Sequence, residues 1–137
     1  MKLLKPLFYI LSVLLFIACG SYPATTSKDN VTQEEPVIIA NEALEYEIII
    51  IDPGFTSYLF SIAKPMSYYS QTYLQGKNRI YVANWNNRAR SPQQFNSNVY
   101  ENIIDYEPNV DYGLEVNYKL YWYFKFAEQK YKMRLSY

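Results

Sequence analysis

The chain has 137 residues, with 13 basic and 13 acidic side chains, no histidine, one cysteine and sixteen tyrosines. That length holds one domain of ordinary size. Without histidine there is no Ser-His-Asp or Cys-His catalysis and no histidine-ligated metal; one cysteine excludes an internal disulfide and Cys-rich metal or iron–sulfur sites; a net charge of zero makes no case for nucleic-acid binding.

The first twenty residues read MKLLKPLFYILSVLLFIACG. Lys2 and Lys5 supply a positive start, and residues 6–18 are an uncharged apolar run. The run fits a secretory h-region and is short of the roughly 20 residues a membrane-spanning helix needs. Phe16, three positions before Cys19, is too large for ordinary signal cleavage. The segment Leu15-Phe16-Ile17-Ala18-Cys19 resembles a bacterial lipobox, with Phe16 where leucine is usual. The resemblance implies a signal peptide over 1–18 and lipidation of the Cys19 thiol, which becomes the new N-terminus. Two or more acyl chains anchor stably where one does not.

Residues 19–40 read as a flexible tether, because the stretch SYPATTSKDNVTQEEP is too polar to bury enough surface to offset its ordering entropy. No acidic cluster follows Cys19 directly, which favours the periplasmic side. Residues 41–137 then form one compact aromatic-rich domain. Charge alternates in blocks: −6 over residues 19–52, +5 over 53–100, −5 over 101–118 and +4 over 119–137, leaving −2 from Cys19 onward. Blocks of opposite sign are expected to pair across the fold, or else Arg79, Arg88 and Arg90 form a basic face for an acidic partner.

Residues 44–51 (LEYEIIII) predict a strand closed by the turn Asp52-Pro53-Gly54. Its expected antiparallel partner is the segment 99–106, VYENIIDY. Between them come helices: a short one over 55–63 stopped before Pro65, a second capped by Ser67 and bent or broken at Gly76, and its resumption over 77–89, closed by Pro92. Tyr81, Val82, Trp85 and Ala89 make one stripe of that helix.

The C-terminal segment fits two periods. Leu114, Val116, Tyr118, Leu120, Trp122, Phe124 and Phe126 alternate as in a strand. Val116, Leu120, Phe124, Ala127, Tyr131 and Leu135 recur as in a helix and continue to the chain end. Helix is the better fit, since a thirteen-residue strand exceeds the mode of about 5–6, and Asp111 is its expected N-cap. Its second stripe, Tyr118, Trp122 and Phe126, places the helix at the centre of the domain. The expected fold class is thus α+β: a mostly helical small domain with a short two-stranded antiparallel sheet and a long C-terminal helix.

Several phrases together, namely Tyr68-Tyr69-Ser70, Lys77-Asn78-Arg79, Val82-Ala83-Asn84-Trp85-Asn86 with Arg88, Ile104-Asp105-Tyr106, and Asp111-Tyr112-Gly113-Leu114-Glu115-Val116-Asn117-Tyr118, resemble an uncharacterised family of small lipoproteins of Bacteroidota, a domain of unknown function. The resemblance implies the envelope address and carries no activity or site residue.

Tyr81, Trp85, Asn86, Arg88, Tyr118 and Trp122 combine aromatic faces, an amide and a guanidinium, the groups that hold sugars or peptides, and form the candidate binding face. The alternative is that they pack and bond internally. Asp105, Glu107, Asp111 and Glu115 crowd one segment and could serve as an acid–base pair for glycoside cleavage, but acids leading into a helix are commonly caps and solvated charges. No phosphate loop, nucleophile elbow or metal motif is present in the sequence. The expectation is a non-enzymatic envelope lipoprotein, lipid-anchored at the outer membrane and facing the periplasm. It needs no cofactor or metal, contacts the membrane through its acyl chains, and acts as a binding or accessory subunit for an unknown envelope protein. The alternative is a glycan- or peptidoglycan-binding module, or a weak carboxylate-dependent glycan hydrolase.

Overall fold

The computed structural model describes residues 35–136 and begins with a hairpin. The signal segment 1–18, Cys19 and the tether up to residue 34 lie outside the described residues. Strand β1, Val37–Asn41, pairs antiparallel with β2, Tyr46–Ile50, in the register Val37↔Ile50 to Asn41↔Tyr46. A single 3₁₀ turn, Glu42–Leu44, links them, and Glu45 closes it with a left-handed φ of 51°. Ile39 and Ile50 point into the core, while Ile38 and Ile49 stand exposed on the other face, as the period of two requires.

The strand expected over 44–51 is therefore present, but its partner is β1 and not the segment 99–106. Residues 37–40, assigned to the tether, belong to the sheet. Two physical reasons account for the correction. Closing a four-residue loop costs about 2 kcal/mol less chain entropy than closing one of nearly fifty residues. In addition, the side chains of Trp85 and Asn86 take up backbone groups of Asn102 and Ile104.

The turn Asp52-Pro53-Gly54, with Gly54 at φ 97°, leads into α1, Phe55–Ser61, whose Phe55 is fully buried. A 3₁₀ turn, Met66–Tyr68, follows. Ser67 lies inside this turn. The cap of α2, Gln71–Ala89, is Ser70, whose Oγ accepts from the Tyr73 N–H. Gly76 neither bends nor breaks α2. It faces open space, and the cost of one glycine, about 1 kcal/mol, is absorbed by the helix around it. Residues 90–112 are irregular, and the chain then forms α3, Gly113–Lys130. The N-cap of α3 is Tyr112 and not Asp111; Asp111, one position ahead, accepts through Oδ1 from the Gly113 N–H at 2.9 Å.

The helical period of the C-terminal segment prevails, and α3 is central. It packs against α2, β1, α1 and the Met66–Tyr68 turn. Val116, Leu120, Phe124 and Ala127 are buried on one side, and Tyr118, Trp122 and Phe126 on the other. Rings fill the space between: Tyr81 stacks on Phe124 with centroids 5.3 Å apart, Tyr106 on Tyr112 at 4.8 Å, and Tyr69 reaches Tyr118, Tyr121 and Trp122. Such pairs add about 0.5–1.5 kcal/mol each beyond area burial.

Among the described residues the charge blocks pair only in part. Lys130 meets Asp52 and Lys119 meets Glu115 across blocks, while Lys125 meets Glu128 within one. The basic block turns instead to carbonyls: Arg79 donates to Pro108 O and Arg88 to Arg134 O.

Candidate functional site: a groove beside the free edge of strand β2

The six residues chosen from sequence as a binding face do not form one. Tyr81, Trp85, Asn86, Tyr118 and Trp122 are at most 9 % exposed, because each finds internal partners. The Tyr118 hydroxyl donates to Lys64 O at 2.7 Å. Trp122 sits among Tyr58, Tyr69 and Tyr121. Arg88, half-buried, donates to the Tyr100 hydroxyl at 2.8 Å and lies over the rings of Phe95 and Tyr100. With its bond to Arg134 O it pins the C-terminal tail to the 95–100 loop. Cys19 lies outside the described residues.

Two of the six shape a different feature. The Trp85 Nε1–H donates to Asn102 O at 2.9 Å. The Asn86 amide grips Ile104 at both ends: Nδ2 donates to Ile104 O and Oδ1 accepts from Ile104 N–H, each at 2.8 Å. This reproduces with a side chain the two-way bond of a strand pair. α2 thus takes up the Asn102 carbonyl and both backbone polar groups of Ile104, and the N–H groups of 98–100 turn back to Asn96, so that segment 98–104 stands as a wall facing β2.

Between that wall and β2 runs a groove of about 350 Å³, within the usual range of ligand sites, about 300–1,000 Å³. Ile48–Ile51 form one side, Asn98, Glu101 and Asn102 the other, and Trp85, Leu120 and Tyr123 line its base. The β2 side presents open backbone. The Ile38 carbonyl accepts from Lys119 Nζ at 3.1 Å and so turns away from β2, which makes Ile38↔Ile49 and, by alternation along the register, Ala40↔Glu47 the non-hydrogen-bonded kind, with N–H and C=O turned outward. Glu47 and Ile49 therefore aim their peptide groups away from β1, and these find no backbone partner among the described residues.

The groove is acidic. Asp52 is held by Lys130 and by the Tyr131 hydroxyl, which donates to Oδ2 at 2.8 Å, whereas Glu101 enters no ion pair among the described residues. Burial, then its bond to Asp52, push the Tyr131 phenol up to about 12. Burial, followed by the charges of Asp52, Tyr131 and Glu101, pushes Tyr123 up as well. The arrangement suits an extended polypeptide added as a third strand, with backbone bonds supplying affinity, and a cationic side chain against Glu101.

The acidic cluster considered for catalysis is exposed throughout. Asp111 is engaged by Gln71 and the Gly113 N–H and Glu115 by Lys119, both as helix-terminal contacts. Among the described residues no group of three or more His, Cys, Asp or Glu is placed to hold a metal, and no helix is long and apolar enough to cross a membrane. Sequence reasoning did not find the groove. The β-branched run 48–51 signalled the strand, but a free edge depends on which segment pairs with it.

The chain belongs to the family of unknown function DUF6146, whose model matches residues 7–137. No curated protein and no solved structure matches it.

Proposed function

We propose that this member of DUF6146 is a lipid-anchored, non-catalytic binding module of the bacterial cell envelope. Cys19 carries the acyl chains, the residues after it form the tether, and the domain faces the periplasm from the outer membrane. Its ligand is an extended, lysine- or arginine-bearing segment of another envelope protein, laid along β2.

The observation that carries the binding role is the open backbone edge of Glu47 and Ile49 beside a pre-formed groove. An unpaired edge is a template for strand addition, and proteins commonly cover or charge such edges. Here the wall that could have covered it is held back by Trp85 and Asn86. The anchor is supported by the lipobox-like Leu15-Phe16-Ile17-Ala18-Cys19. The aromatic faces that would favour a glycan ligand, Tyr81 and Trp85, are buried.

Palmitate labelling tests the anchor: incorporation is expected in the unsubstituted chain and lost in Cys19→Ala. A photo-crosslinking side chain at Asn98 or Ile51, on the groove rim, tests the ligand in cells. Discrete protein adducts are expected, with Glu101→Lys reducing their yield through charge reversal. Retention of the purified chain on peptidoglycan, with no protein adduct, would replace this reading with the glycan one.

A further inference from the structure

Phe60 is 85 % exposed, and Ile62 and Tyr68 follow at 56 % and 66 %. A large aromatic side chain left almost wholly in water by a domain that buries most of its rings marks a contact surface. Lys64 lies over the Tyr68 ring, 4.2 Å from its centroid, and residues 53–100 contain no acidic side chain. The exposed side chains along 60–68 are therefore apolar, aromatic and cationic, the mixture found at the water–lipid boundary, with Glu35, whose carbonyl meets Thr56, as the acid brought to α1 by the entering chain.

Where the chain enters the domain selects the partner. Thr56 Oγ1 donates to Glu35 O at 3.2 Å, so the stretch leading back to Cys19 reaches the domain at α1. Thr56 and Phe60 are four residues apart on that helix and share a face, one turn or about 5.4 Å from each other along the axis. Cys19 and Glu35 are separated by 16 residues, which span at most about 55 Å. A domain held by that length meets the anchoring membrane at high effective concentration, and the side of α1 where the chain enters is the side that carries Phe60.

We infer that the α1 face of Phe60, with Ile62, Lys64 and Tyr68, docks on the anionic headgroup surface of the anchoring membrane, seating Phe60 at the headgroup–acyl boundary. The inference rests on the lipid-anchor reading of Cys19. Docking through α1 gives the tethered domain a set orientation and leaves the β2 groove to its protein ligand.

The test uses the full-length chain, purified from membranes and reconstituted in vesicles of phosphatidylethanolamine and phosphatidylglycerol, with Phe60→Trp as reporter. Tyr68→Trp serves as a second reporter, and emission from the unsubstituted chain, due to Trp85 and Trp122, is the baseline. Brominated acyl chains are expected to quench reporter emission below the baseline, as for an indole at the interface, and Ile62→Asp to weaken quenching of the reporter at position 68. An unmodified Cys19 by intact mass overturns the anchor and the docking together. An acylated Cys19 with both reporters quenched no more than baseline overturns the docking alone.

Discussion

Asn78 and Asn117 meet in the middle of the domain, both wholly buried. The Asn78 Nδ2 donates to the Asn117 backbone carbonyl at 2.9 Å and to its side-chain Oδ1 at 3.2 Å, tying α2 to α3. Asn117 Oδ1 also accepts from the Tyr106 hydroxyl at 2.7 Å, and its Nδ2 donates to Gly113 O at 2.8 Å. Asn78 Oδ1 has no hydrogen-bond partner among the described residues. The polar pair is asymmetric: Asn117 satisfies three groups around it, Asn78 mainly one residue.

Asn117→Ala should therefore destabilise the domain more than Asn78→Ala. The first strands the buried Tyr106 phenol, a loss of order 1–3 kcal/mol, and removes the bond to Gly113 O and one of the two bonds of Asn78 Nδ2, which keeps the Asn117 backbone carbonyl. The second removes a donor but also an acceptor that was already unsatisfied. Urea unfolding of the two variants gives the comparison, and a smaller shift for Asn117→Ala would contradict this account of the core.

Two glycines should respond oppositely to alanine. Gly76 lies inside α2 with nothing near its missing Cβ, so Gly76→Ala is expected to stabilise by about 0.5–1 kcal/mol. Gly113 begins α3 at φ 82°, where a Cβ costs about 1–2 kcal/mol, so Gly113→Ala should destabilise. Thermal unfolding reads both signs.

Asn86→Ala should release the groove wall. It removes both bonds to Ile104, and the Ile104 amide should lose protection in hydrogen exchange while amides within α3 keep theirs. The expected loss of stability is about 1–3 kcal/mol. Unchanged exchange at Ile104 would mean that the wall is held by other contacts.

Alkaline pH should unfold the domain through its tyrosines. Burial, opposed by Arg79 and reinforced by Tyr112 and Asp111, pushes Tyr106 up to about 12, and Tyr131 reaches a similar value. Tyr46 and Tyr121 are raised chiefly by burial. A phenol whose folded value lies above the ordinary 10 stabilises the fold fully below pH 10. That contribution is lost as pH rises through 10 toward 12. Tyrosinate absorbance should climb cooperatively, together with loss of helical circular dichroism. A single smooth titration with the helix signal intact would contradict it.

Much of the fold was legible in residue spacing. The period of Val116, Leu120, Phe124 and Ala127 identified α3 as a helix, and the second stripe of Tyr118, Trp122 and Phe126 placed it at the centre of the domain; the expected continuation through Tyr131 to Leu135 is not helical, because α3 ends at Lys130. The pattern Leu44 to Ile51 identified a strand. Its partner was misassigned because VIIAN at 37–41 directly follows a polar stretch, while the longer VYENIIDY has equal strand character. Trp85 and Asn86 were singled out for their chemistry, which is real but directed inward: an indole N–H and an amide serve a neighbouring backbone as readily as a ligand, and residue type alone does not tell which.

By itself the sequence determined the strand β2 and the helices, the absence of histidine and internal disulfide chemistry, and the resemblance of the segment around Cys19 to a lipidation signal. These depend on composition and on short-range period, which the linear order contains. Tertiary structure decided which segment pairs with β2, which aromatic residues are walls and which are surface, and where a strand edge stays open. Those outcomes follow from competition for backbone hydrogen bonds between segments distant in the chain: Asn86 takes both polar groups of Ile104 and Trp85 the carbonyl of Asn102, so these groups are spent on α2 and not on β2, and a groove lies between the two segments.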